Sequence, residues 1–354
     1  NAEVGEESNY VNFSLNLPSS LVNTRAAVQI PADYKMRSII EVWSSDGNSV
    51  LKYREEIALE TGMLPKFDFG LKPGDYTCLF WTDFIAKNAL VETVTTENGV
   101  VYEHFEDTFY DTENLRAVSI KDQTGANLFD TDACDAYYGT VGLKKNSNGV
   151  VQEVPLERPF AKVVLKENDA KQYESLTSMQ TYLNVPAAFD VRSGEPLSAM
   201  QTLSFEKTVF NDEEQRLFST YVFMPSAGER QLGAVSLIFS QGGTMLNREI
   251  AASADITLVR NRLLNLSGAI IKDSSVEPEE PTELPKVGDY YYQDGTWSSE
   301  LKSDKTCVGI VFAEGLQQGD AISAYGKEAE GKSILGYVMA LKSIPVQGKI
   351  VGSD

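Results

Sequence analysis

The side chains that could do chemistry in this sequence are few and scattered. There is a single histidine, His104 in the stretch "YEHFED", so any histidine-based relay would have to be built around that one imidazole. No Gly-x-Ser-x-Gly elbow accompanies it, and its aromatic neighbours read as strand or loop. "FDTDACDAYYG" brings Asp130, Asp132 and Asp135 close together, and grouped carboxylates suit a hard cation such as calcium. The glycine and terminal Glu of an EF-hand loop are missing, so the stretch reads as a solvated acidic loop. Cys78, Cys134 and Cys307 are too few and too far apart for a disulfide framework or a zinc site, and read as small buried side chains. No Walker loop, dinucleotide fingerprint or Cys-x-x-Cys pair occurs. No cofactor, no metal and no enzymatic activity are therefore expected.

Two other groupings point to contact instead of catalysis. Tyr290, Tyr291, Tyr292 and Trp297 lie close together and offer flat apolar faces with polar edges, which suit a sugar ring or a protein partner. The same spacing also fits strand positions with half the rings in a core. The second grouping surrounds an isolated arginine. In "NYVNFSLNLPSSLVNTRAAVQIP", Val11, Phe13, Leu15 and Leu17 alternate with Asn12, Ser14 and Asn16, the period of a half-buried strand. Pro18 ends it, and Arg25 is the only charge between Glu7 and Asp33. A well-patterned strand is thus tied to the chain through small polar residues holding one basic site, the kind of loop where proteolysis concentrates.

The elements around these residues are β-strands. "SIIEVWSS", "KFDFGL", "DYTCLFWTDF", "RAVSI", "AKVVLK", "FSTYVFM", "GAVSLIFSQ", "REIAAS" and "NLSGAII" are short, rich in β-branched and aromatic residues, and separated by Gly, Pro, Asn and Asp. That spacing predicts β-sandwiches. The best helical candidate is residues 168–183, which reads equally as a loop followed by a strand. "FDFGLKPGDYTCLFWTD" (67–83) and "YVFMPSAGERQLGAVSLIFSQ" (221–241) each run strand, Pro/Gly turn, more apolar strand, a loose internal echo of two similar units. "KDSSVEPEEPTELPK" (272–286) combines prolines with an acidic run and reads as a solvated linker. Behind it the folded pattern restarts near residue 287 and reaches Asp354 without an evident closing strand, as a small or cut module.

Over 354 residues, 42% hydrophobic and 23% charged side chains describe a folded chain with room for two or three domains. A formal charge of -20 repels phosphate backbones and anionic lipid, so nucleic acid is a poor partner. No apolar run approaches the roughly 18 residues of a membrane span, and no signal segment opens the sequence, which reads as cytosolic or as a mature chain.

Four stretches, in this order, resemble the fimbrillin-like subunits of type V pili in the Bacteroides and Porphyromonas group: "VNFSLNLP" with "NTRA", "LKPGDYTCLFWTD", "PLERPFAKVVL" and "LVRNRLLNLSGAI". The resemblance implies an all-β fold of tandem transthyretin-like sandwiches, to which this sequence adds a C-terminal module. Its domains would be 1–156, 157–272, a linker at 273–286 and a module at 287–354. It implies a lipid-anchored precursor at the outer membrane that passes into a fimbrium. An arginine-specific protease would cut between Arg25 and Ala26. A strand from another fimbrial subunit would then replace the first strand, with Val11, Phe13, Leu15 and Leu17 as the anchors to be exchanged. Stalk members end on the strand they donate, whereas here a further module follows. A tip position is therefore expected, with the module binding a host glycan or protein through Tyr290, Tyr291, Tyr292 and Trp297. The rival readings are a surface glycan-binding lipoprotein that does not polymerise and, far behind it, an enzyme.

Overall fold

Alternating apolar residues lay down strands throughout the computed structural model, which describes residues 9–16, 30–45, 49–61, 63–121, 131–278, 285–293, 296–303, 305–314, 335–341, 345–346 and 349–350. These fall into two compact units, one of residues 9–16 and 30–278, the other beginning at Pro285.

The first unit opens with strands β1 (Tyr10–Asn16), β2 (Tyr34–Ser44), β3 (Leu51–Leu59), β4 (Lys66–Gly70) and β5 (Gly74–Ala86). The hairpin β6 (Val91–Thr95) and β7 (Val101–Phe105) follows, then β8 (Tyr137–Lys145) and β9 (Val150–Pro155). They make a three-stranded sheet in the order β9-β1-β4, facing a four-stranded sheet in the order β8-β5-β2-β3. The chain continues with β10 (Phe160–Glu167), β11 (Leu176–Pro186), β12 (Met200–Lys207), β13 (Arg216–Phe223), β14 (Val235–Gln241), β15 (Thr244–Ile250) and β16 (Leu263–Gly268). These repeat the arrangement: β16-β10-β13 in one sheet, β15-β14-β11-β12 in the other. Even the strand directions recur. β1 is parallel to β9 and antiparallel to β4, and β10 is parallel to β16 and antiparallel to β13.

The echo in the sequence marks equivalent places in this repeat. In 67–83 the chain leaves the three-stranded sheet at β4 and enters the four-stranded one at β5, and in 221–241 it does the same from β13 to β14. A large apolar cluster joins the interior of the second sandwich to the outer face of the first one's four-stranded sheet. Ile39, Leu79 and Trp81 from the first half meet Phe160, Phe189 and Phe223 in it. Arg158, whose guanidinium bonds Asp135 through Nε (2.8 Å) and Nη2 (2.6 Å), ties the start of β10 to the first half. Arg260 Nη1 donates to the Tyr138 hydroxyl (2.7 Å) from the other side.

Residues 168–183 are both things at once. Asp169 caps the amides of Lys171 and Gln172 over a short helix, Ala170–Glu174, and β11 begins at Leu176, where apolar residues start to alternate inward. "REIAAS" is strand only as far as Ile250, and "NLSGAII" as far as Gly268, after which Ile270–Asp273 form a helical turn. The stretch expected as a free linker from residue 273 is tied down at its start: Glu277 and Pro278 pair antiparallel with β16 at Ser267 and Leu266, covering that strand's outer edge.

The second unit contains β17 (Tyr290–Tyr292), β18 (Trp297–Ser298), β19 (Cys307–Glu314) and β20 (Gly336–Ala340), in the order β18-β17-β19-β20. Val311 and Tyr292 are buried in it.

Candidate functional site

The seat of the first strand is the site with the most complete architecture. Alternation places Val11, Phe13 and Leu15 inward, where they are 0%, 0% and 5% exposed, while Asn12 and Ser14 point outward and stay half-buried. Both edges of β1 are used. Its residues pair from Val11↔Val150 to Asn16↔Pro155 on β9, and from Tyr10↔Gly70 to Ser14↔Lys66 on β4. Leu71 N donates to Asn9 O (2.8 Å) at one end and Leu156 N to Asn16 O (2.7 Å) at the other. Beneath the strand, the Phe13 ring meets Phe80 edge-on at 5.1 Å and Phe69 at 6.3 Å. None of the three anchors belongs to the large cluster that joins the two sandwiches. Withdrawing β1 would leave unpaired backbone on two strands and an apolar slot, the arrangement that invites an incoming strand. Leu17, Arg25 and Ala26 lie outside the described residues.

The floor of the slot is held by an ionic network that no motif announces. On the four-stranded sheet, Ile40, Val42, Cys78 and Phe80 are buried inside the sandwich, and burial pushes the Cys78 thiol up to about 12. On the opposite face Arg37 forks onto Asp83, with Nε–Oδ1 3.0 Å and Nη2–Oδ2 2.7 Å, and also reaches Asp107 (2.8 Å) and the carbonyl of Phe105 (2.9 Å). Arg54 bonds Glu41, Glu56 (2.6 Å) and the carbonyls of Thr112 (2.8 Å) and Glu113 (3.0 Å). His104 Nδ1 lies 2.9 Å from Glu56 Oε1. Burial pushes Glu56 upward, but the His104 hydrogen bond and the Arg37 and Arg54 guanidiniums outweigh it and hold the carboxyl at about 2. His104 is raised, chiefly by the same hydrogen bond. His104 thus fastens β7 to β3, while Arg37 and Arg54 hold the backbone at Phe105, Thr112 and Glu113. In the sequence these residues show only as charges within two strands, Arg37 and Glu41 in β2 and Arg54 and Glu56 in β3.

A cavity of about 480 Å³ lies under the β6–β7 hairpin, lined by Leu90, Val94, Tyr102, His104 and a rim of carboxylates. The acidic loop resolves into ion pairs: Asp135 holds Arg158, and Asp132 takes Lys162 Nζ at 2.6 Å, while Asp130 lies outside the described residues. Among the described residues no group of three metal-ligating side chains comes together. Of the aromatic grouping in the second unit, Tyr292 is buried and serves that unit's interior. Its hydroxyl lies 2.8 Å from Ser298 Oγ and accepts from Lys302 N (2.8 Å). Only Tyr290, Tyr291 and Trp297, all half-buried, retain accessible ring surface.

Residues 2–278 match the family described as a family of unknown function, DUF6562. No curated protein matches the sequence significantly. Among solved structures, the chain is similar to the fimbrial anchor protein Mfa2 of Porphyromonas gingivalis, at 12% identity and TM-score 0.41, covering 77% of this chain and 95% of that one. It is similar to the tip fimbrial protein Mfa3 of the same organism at 11% identity and TM-score 0.36, covering 77% and 97%. A Bacteroides ovatus protein provisionally named for cell adhesion is similar at 14% identity and TM-score 0.45, covering 77% and 96%.

Proposed function

The chain belongs to the DUF6562 family of unknown function, and we propose that it is a structural and adhesive subunit of a cell-surface pilus, assembled by replacement of its first strand. One observation carries this reading: β1 is paired on both edges and buried on one face, yet its anchors sit outside the core that unites the two sandwiches. A strand held this way is a self-contained plug. Its removal costs the contacts of three apolar side chains, each contributing roughly 1.5–3 kcal/mol, and an incoming strand of the same pattern restores them. The resemblance of "VNFSLNLP" and "NTRA" to fimbrillin-like subunits supports the same reading, with cleavage after Arg25 releasing the plug. The subunit takes the tip position, its C-terminal unit contacting a glycan or a host protein through Tyr290, Tyr291 and Trp297. Labelled-antibody electron microscopy of native cells tests the assignment. Label at filament ends supports it, label along shafts makes the subunit a stalk component, and diffuse label without filaments overturns it.

A second reading, a surface glycan-binding protein that does not polymerise, has one observation in its favour. The outer face of the β15-β14-β11-β12 sheet presents Gln180, Tyr182, Asn184, Thr202 and Ser204, a polar strip bordered by the exposed Glu206 and Glu249.

A further inference from the structure

We propose that the seat of β1 selects its occupant by one central aromatic ring, accepting a strand that runs parallel to β9 and carries aliphatic, aromatic and aliphatic side chains at alternate positions. This rests on the strand-replacement reading above and names the chemistry of the strand that the seat takes.

The selecting surface stays behind when β1 leaves. Phe67 and Phe69 belong to β4 and Phe80 to β5, and all three are buried. Phe67 lies directly opposite Phe13 in the antiparallel register, and its ring is 6.3 Å from that of Phe80. Phe69 is backed by Tyr53, stacked on it at 4.1 Å. The central position is therefore walled by rings that are themselves fixed by rings. An entering aromatic gains edge-to-face contact beyond its buried area, and a smaller side chain leaves a void that close-packed walls fill only in part. The flanking positions are different. Val11 is paired with Val150 and Phe69, and Leu15 with Val154, so aliphatic side chains of moderate size complete them.

Direction is selected separately. A parallel ladder has slanted, evenly spaced hydrogen bonds, and an antiparallel one has alternating close and wide pairs. β9 offers the first pattern and β4 the second. A reversed strand would have to exchange the two patterns that β9 and β4 present.

The test is competition for the seat in the full chain after cleavage at Arg25. A fluorescent peptide of residues 9–17 is the probe, and unlabelled peptides carrying the parent sequence, Phe13→Leu or Phe13→Ala compete with it. The parent is expected to compete best, and Phe13→Leu, which removes the ring and its edge-to-face contact, about tenfold more weakly. Phe13→Ala should be weaker by about a hundredfold or more, and a photo-reactive group on the C-terminus of the parent peptide should label the chain near Leu156 and not near Val150; the opposite labelling would overturn the parallel direction. If cleavage is slow, a chain starting at Gln29 and refolded with the peptides must give the same ranking. Phe13→Leu competing as well as the parent would overturn ring selection, whatever Phe13→Ala does, while leaving replacement intact. A parent peptide that never enters the seat would overturn both.

Discussion

β1 and β10 occupy equivalent places in two copies of one topology, and they are buried in opposite ways. β1 turns Asn12 and Ser14 outward and keeps Val11, Phe13 and Leu15 in a local slot. β10 is buried on the face of Ala161, Val163 and Leu165, and on the other face Phe160 and Val164 are buried while Lys162 and Lys166 stay half-buried. Phe160 stacks on Phe223 at 4.8 Å and on Tyr110 at 5.7 Å, and Ala161, Val163 and Leu165 belong to the cluster that unites the sandwiches. Arg158 pins its start to Asp135, whereas β1 begins at the exposed Tyr10. The strand parallel to β10 has its outer edge covered by Glu277–Pro278, while among the described residues no strand pairs with the outer edge of β9. On the proposed reading, the same arrangement of strands gives one fixed central strand and one replaceable one. What separates them is whether the second face of the strand is needed elsewhere.

The largest effect that would break this contrast is expected at Phe160. Phe160→Ala should remove about 3–5 kcal/mol from the cooperative unfolding of the whole first unit, read as a lower urea midpoint. Should only a local region loosen, β10 is not part of a shared core. Leu15→Ala comes next, at about 2–3 kcal/mol, and its signature is spatial. Hydrogen exchange should quicken in residues 10–16 and in their partners on β4 and β9, with β10 unchanged.

The ionic network adds a pH test confined to the first sandwich, because the chain has one histidine. His104 is raised above 6.5 by its bond to Glu56, with Asp107 also facing it and Arg37 opposing, so its contribution is complete below pH 6.5 and is lost as pH rises through the folded-state value. Glu56 is lowered from 4.5 to about 2, so its contribution is present above pH 4.5 and fades as pH falls toward 2. Urea midpoints should therefore decline on the alkaline side, and His104→Gln should abolish that decline. The smallest expected effect is at the outward face of β1. Ser14→Thr should stay within about 0.5 kcal/mol of the parent; a large loss there would mean that β1 has a hidden second contact.

Much of this contrast was legible in the sequence, for physical reasons. β1 was readable because one buried face imposes strict alternation on seven residues. The repeat was readable where the chain crosses between sheets, since a Pro/Gly turn and a more apolar strand are needed at both crossings. β10 gave less away: in "AKVVLK" the apolar Val163, Val164 and Leu165 are consecutive and break the alternation, and which neighbour covers Phe160 and Val164 depends on residues distant in the chain. The network around Arg37 and Arg54 was not legible, because its partners come from β2, β3, β5, β7 and the stretch after it, and their convergence is a property of the fold. The buried place of Tyr292 was missed for a related reason. A register irregularity between Tyr291 and Tyr292 breaks the alternation that three consecutive tyrosines would follow.

The central claim, that β1 is replaceable while the rest of the molecule stands, is tested most directly by native mass spectrometry of the chain cleaved at Arg25 and incubated with an excess of isotope-labelled fragment 1–25. The account predicts that the cut complex first retains its own fragment and then takes up the labelled one, with the remaining chain folded throughout. A fragment that never exchanges, or a chain that unfolds as a whole when the fragment leaves, would contradict it.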